Sequence, residues 1–201
     1  MAPDPPARAR GHAARPPVER GAVLAGYRRN CAGLDATLAA AALPELRRRS
    51  AGTRWSNEEL LFHMVFGYLV VLALLPLVRF FGRLPRPVSR GFARLLDAAT
   101  VPFDVVNYWG SKAAARVYNR RRMAAKLHRI TSRLERRLGR ETAETLALSM
   151  SFPTRWDPLF RPTMTLGDVY AYPVDHFDFH AAQLSLPFSG GGRTPPETPE
   201  E

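Results

Sequence analysis

Cysteine is nearly absent: Cys31 stands alone among 201 residues. No intramolecular disulfide can form, and the chain reads as one kept in a reducing compartment. A lone thiol can also be a metal ligand or a nucleophile, but no partner signature surrounds Cys31, and it reads as a core residue. Strand-type alternation is scarce, which argues against a large sheet. No apolar run precedes Gly21, so the opening is not a secretory signal. It is Arg-rich and acid-poor, but its prolines oppose the amphipathic helix of a transit peptide. The expected location is cytoplasmic. No helix-turn-helix, zinc-finger or aromatic-basic pattern is present, so no specific nucleic-acid partner is expected.

What is present is helical. The net charge of +11 lies largely in the opening segment and in Arg120–Arg140. In that second stretch Met123, Leu127, Ile130, Leu134 and Leu138 recur at three-to-four spacing, which leaves the arginines on a solvated outer face. The two ends differ from the middle. Met1–Pro17 is rich in Pro, Ala and Arg, and Phe188–Glu201 reads FSGGGRTPPETPEE. Neither can bury enough apolar surface to offset the entropy of ordering it, so both are expected as disordered tails flanking one domain, residues 18–187.

Within that domain a first helix is expected from Val18 to Leu43, with Leu24, Tyr27, Cys31, Leu34 and Leu38 buried. Ser56-Asn57-Glu58-Glu59 is a capping box, with Trp55 and Leu60 at the staple positions, and opens a second helix running to Phe81. A helical insertion, Val88–Tyr108, follows, with Phe92, Leu95, Leu96, Phe103, Val105, Val106 and Tyr108 available as cover. A third helix is expected from Trp109 or Ser111 to Met150, with Gly139 as a point of interruption. The proline-rich segment Ser151–Met164 is read as a packed loop. A second box, Thr165-Leu166-Gly167-Asp168, starts a last helix that reaches Leu186 and contains Pro173. The class is all-α.

Leu60–Val78 holds no Lys, Arg, Asp or Glu over nineteen residues, about the length that spans a bilayer. His63 near one end, Pro76 near the other and the lack of a second span favour a buried central helix over a transmembrane one.

His176 and His180 lie four residues apart, on one face of the last helix, where two imidazoles can grip one divalent ion. Val169 and Gln183 share that face with His176, so the pair points inward. By itself such a pair is more often a core feature, each ring satisfied by a carbonyl. His63 adds to it: a lone ionisable ring in the apolar run LLFHMVF needs something to satisfy it, and coordination as neutral imidazole would. Glu59, Asp175 and Asp178 are candidate acceptors for the second ring nitrogens. His12 and His128 lie in unlike settings. Trp109 and Trp156 read as core aromatics before pocket-lining ones.

The segments RWSNEELLFHMVFGYL, RWDPLF, MTLGDVY and YPVDHFDFHAAQL together resemble the DinB-like superfamily of metal-binding four-helix bundles. That resemblance covers Val18 to Leu186 and is most specific in the last helix. It implies metal ligation by His63, His176 and His180; the imidazole donors themselves suit zinc or nickel. It also implies relatives that are S-transferases and isomerases using bacillithiol or mycothiol. Two departures stand out: the long Val88–Tyr108 segment, and Pro173 one turn before His176.

Three imidazoles leave at least one coordination position open, as in catalytic rather than structural sites. The leading expectation is a transferase joining a low-molecular-weight thiol to an electrophilic small molecule. The Ala/Arg/Pro bias suggests a GC-rich, actinobacterial genome, for which mycothiol is the natural thiol. The alternatives are a metal-hydroxide hydrolase of amides or esters, and a non-catalytic metal-binding or membrane-peripheral bundle. A homodimer is compatible with the pattern.

Overall fold

Both capping boxes form, and they fix where the two site-bearing helices begin. The Glu59 amide donates to Ser56 Oγ at 3.3 Å while the Ser56 amide donates to the Glu59 carboxylate at 2.9 Å. Thr165 and Asp168 exchange the equivalent bonds at 3.0 and 2.8 Å. Each pair satisfies amides that a helix start otherwise leaves without partners.

The computed structural model describes residues 18–188, so the tails expected at 1–17 and 188–201 lie outside the described residues except for Phe188. Phe188 itself belongs with the core, its ring 5.6 Å from that of Phe177. In chain order the elements are α1 (Arg20–Ala40), α2 (Leu43–Arg47), α3 (Asn57–Phe81), α4 (Arg86–Ala98), α5 (Thr100–Val117), α6 (Arg120–Leu138), α7 (Ala143–Ala147), β1 (Ser149–Ser151), β2 (Thr163–Thr165) and α8 (Leu166–Ala181). The all-α expectation holds, apart from one antiparallel hairpin in which Met150 faces Met164. Its residues fall partly inside the segment read as a loop.

α3 packs against α8 and α6, and α1 packs against the same two helices. One core results, filled by Tyr27, Leu34, Leu61, Tyr68, Leu127 and Phe177 among others. The stripe expected on α6 is buried throughout. Of the stripe expected on α1, all but the partly buried Leu24 are buried. A hydrogen-bonded chain crosses this core. Tyr27 donates to the Tyr170 carbonyl at 2.6 Å, and Tyr170 donates to Glu141 at 2.8 Å. Glu141 also pairs with Arg79. Burial pushes the Glu141 carboxyl up, but the hydrogen bonds from Tyr170 and Arg79 outweigh it and hold the group below its usual range.

Two helix boundaries need correction. The third helix is not continuous from Trp109 to Met150: α5 ends at Val117, and Asn119 caps α6 by accepting from the Arg121 amide at 3.2 Å. An Asn side chain competes for backbone amides in this way and favours a helix start over a helix interior. Gly139 does end α6. The last helix stops at Ala181 rather than Leu186, because the next residues bond to the connector before α3: the Ala51 amide donates to the Gln183 carbonyl, and the Ser185 amide to Asn57. α8 nevertheless continues through Pro173.

The insertion is helical but covers the core with only part of its apolar surface. Phe92, Leu96, Phe103 and Tyr108 are partly buried, whereas Leu95, Val105 and Val106 are exposed. Adjacent residues point in different directions from a helix, so Leu95 and Leu96 cannot both turn inward, and Leu96 is the one that does. Among the described residues α3 is the one helix long and apolar enough to cross a membrane, and 56% of its apolar window is buried inside the fold.

Candidate metal centre

His63 enters the site from the second turn of α3, and His176 and His180 from successive turns of α8. Their ligand atoms all lie within 4.8 Å of one another. The ring centroids form a near-equilateral triangle: His63–His176 5.1 Å, His63–His180 4.8 Å and His176–His180 4.6 Å. Helix packing brings the first ring opposite the pair.

A glycine makes the approach possible. Gly67 lies one turn beyond His63, and a Cβ built there would sit 2.5 Å from His176 Nδ1. Any side chain at that position would occupy the space that the imidazole fills. Gly26 does the same for α1 and α8, where a Cβ would meet the Val174 methyls at 2.8 Å. Such close approach is one reason for glycine inside a helix despite its unfavourable propensity.

All three imidazoles are held neutral. Burial, reinforced by the neighbouring His180, lowers the His63 pKa to about 3. Burial and the other two histidines push His176 far below the ordinary value, and burial lowers His180 as well. Neutral imidazole is the ligating form. At His180, Nδ1 donates to the Gln183 side-chain oxygen at 2.7 Å, which leaves Nε2 free as a ligand. His63 Nδ1 has Ser111 Oγ at 3.4 Å. His176 Nε2 lies 3.8 Å from Asp157 Oδ2, and its buried Nδ1 has no hydrogen-bond partner among the described residues. An unpartnered buried nitrogen beside two more neutral imidazoles fits a divalent cation: coordination would use lone pairs that nothing else in the site uses.

The surroundings differ from expectation. Glu59 is engaged in its capping box and stands 3.9 Å from Lys112, and Asp178 pairs with Arg29 at 2.6 Å on the surface. Asp175 lines a cleft with Arg161 and Asp168. The carboxylate beside the histidines is Asp157, held by the Tyr172 hydroxyl and the Leu159 amide, each at 2.8 Å. Burial raises its pKa above the usual carboxylate value. Trp55, expected as a staple residue, lies over the His63 ring at 4.4 Å between centroids. Trp156 faces a cavity beside the site, whereas Trp109 is exposed and packs in no core.

The other candidates stay apart. His128 is exposed and bonds Asp35 at 2.8 Å. Cys31 is buried with its Sγ 3.5 Å from Thr131 Oγ1, and burial raises its thiol pKa, the opposite of what a nucleophile needs. His12 lies outside the described residues.

Ser111, Asp157, Trp55 and Gly67 are absent from the set that the sequence suggests. Asp157 sits in an irregular segment with no periodicity to mark its direction. Gly67 did carry a signal, since a glycine within an apolar helix pattern marks a close approach.

From His63 and His176 a cavity of about 90 Å³ extends between α3, the α4–α5 insertion and the segment linking β1 to β2. Its walls are mostly aliphatic and aromatic. Compared with known proteins, the chain matches no family model, no curated protein and no solved structure.

Proposed function

We propose that this protein is a divalent-metal-dependent transferase of the DinB-like type, joining a low-molecular-weight thiol to an electrophilic small molecule. The observation that carries this reading is the triangle of neutral histidines, two of which, His63 and His176, line an apolar cavity. A bundle made of α1, α3, α6 and α8, with one histidine on its second long helix and a pair on its fourth, agrees with that superfamily's arrangement.

His63, His176 and His180 would hold the ion, zinc or nickel by donor type. Bound there, it would supply positive charge and an open coordination position that favours a thiol in its thiolate form. The chain's own residues support this in distinct ways. Gln183 fixes the tautomer and orientation of His180. Tyr172 and the Leu159 amide hold Asp157 beside His176, where its carboxylate accepts hydrogen bonds. Trp55 covers His63 on its connector side, and the cavity walls keep bulk water from a reacting pair.

Metal analysis of protein purified without an affinity tag tests the first step. One ion per chain is expected in the wild type and in His128→Ala, with strong loss in His180→Ala; equal effects of the two substitutions would sink the assignment. Cobalt substitution tests the second step. Mycothiol or a simpler thiol should change the visible spectrum of the Co²⁺ protein. Metal without any thiol response would favour amide or ester hydrolysis, or a binding role without catalysis.

A further inference from the structure

We infer that the electrophile accepted by this site is a single-chain amphiphile, with an unbranched alkyl tail lying along α3 and a hydrogen-bond-donating head at the histidine end. The inference rests on the reading of the three histidines as the reacting centre and adds the class of molecule that reaches them.

The first argument is the cavity's shape. On α3 it is lined by His63, Phe66, Gly67, Val70, Leu74 and Leu77. These positions follow three-to-four spacing and make one stripe. From His63 to Leu77 that stripe covers about 21 Å of helix axis. A cavity of about 90 Å³ drawn out along that stripe is a narrow slot, a shape that suits an extended polymethylene chain better than fused rings. For comparison, an engineered cavity that binds benzene measures about 150 Å³ in a compact form.

The second argument is the distribution of polarity. Phe92, Leu96 and Phe103 of the insertion close the slot opposite α3. Beside the histidines the lining turns polar with Asn107 and Asp157. The Asn107 side-chain oxygen is buried and has no hydrogen-bond partner among the described residues. A buried acceptor without a donor is costly. With the Asp157 carboxylate close to His176, this end of the slot offers acceptors, so the matching head group is one that donates N–H or O–H.

The insertion also explains why the slot exists. Without α4 and α5 the stripe on α3 would face solvent; with them it is covered but incompletely filled. Trp156 anchors the cover, its indole N–H donating to the Leu96 carbonyl at 2.7 Å while its ring stacks on Phe103 at 3.9 Å.

The test uses unreactive primary alkyl amides from four to fourteen carbons, titrated calorimetrically into the metal-free full-length protein. Affinity should rise about fourfold per added methylene until the slot is full, then level off. Leu74→Trp, which fills the slot midway, should bring the plateau to a shorter chain. Val70→Phe provides the same test should the first variant fail to fold, with helical content by circular dichroism as the check. Asn107→Leu should weaken the primary amides and leave N,N-dimethyl amides, which carry no N–H, unchanged. No binding at any length, or affinity indifferent to length, would overturn the proposal and mark the cavity as a packing void. Metal uptake by the slot-blocked variants is measured separately. Absence of metal uptake in the wild type would refute the reading of the histidines, whereas metal uptake without amide binding would refute only the amphiphile.

Discussion

Gly67 and His176 share a space that only one of them can fill: a methyl group on Gly67 would stand 2.5 Å from His176 Nδ1. The contact joins α3 to α8 where the three histidines meet. Its effect on function is therefore separable from its effect on stability.

Gly67→Ala gains helix propensity of about 1 kcal/mol and loses about 1–3 kcal/mol to overpacking, so the net change in stability is small. The His176 ring, however, must move. Metal affinity is expected to fall about 10–100-fold, the range found when the support of a ligand is lost. Competition with a chromophoric chelator, alongside thermal unfolding, would check both halves. A variant with normal metal affinity would show that His176 is not held by this contact.

Acid should destabilise the metal-free fold before it reaches the carboxylates. The pKa of His63 is lowered to about 3 in the folded state, and those of His176 and His180 are lowered too, from an ordinary value near 6.5. An unfolded chain takes up these protons as pH falls through 6.5, and the folded chain resists them. Stability from the neutral rings is thus complete above about pH 6.5 and is lost progressively towards pH 3. Asp157, whose pKa is raised, opposes the trend where it titrates. Urea unfolding between pH 7 and 5 should show declining stability in the wild type and a shallower slope in His63→Leu. Parallel slopes would contradict the burial of a neutral His63.

The chain Tyr27–Tyr170–Glu141–Arg79 predicts a purely structural variant. Tyr170→Phe removes the 2.8 Å hydrogen bond to the buried carboxylate, a loss of about 1.5–3 kcal/mol for a bond to a charged group. Chemical denaturation should register that loss, while metal stoichiometry stays unchanged. A fall in metal content would mean that this network also positions α8.

Particular residues explain what was legible in the sequence. Ser56–Glu59 and Thr165–Asp168 announce helix starts because capping is local chemistry, complete within four residues. The stripe Met123 to Leu138 announces a buried face because periodicity is a property of one helix. The triangle of histidines was suggested by two such local signals, a pair at i and i+4 and a ring alone in an apolar run.

What lay hidden depended on distant neighbours. Gln183 and Ser185 leave the helix for bonds to residues near α3, and nothing near them in sequence says so. Asp157 reaches His176 from an irregular segment whose course is set by the hairpin and by Tyr172. Leu95 looks like a core residue and is exposed because its neighbour Leu96 takes the inward direction on the same helix, whereas Val105 and Val106 both face outward. Asn119 was readable as a cap; the long periodic pattern on either side of it concealed the break.

The partnership between α3 and α8 also bears on how the chain is made. More than eighty residues separate the end of α3 from the start of α8, and synthesis at about 5–20 residues per second takes seconds to cover them. Throughout that interval the most apolar helix lacks the partner against which His63 and Gly67 close. A nascent chain at this stage presents a long greasy surface to the ribosome's surroundings, and its safe passage depends on chaperone occupancy or on the insertion folding early.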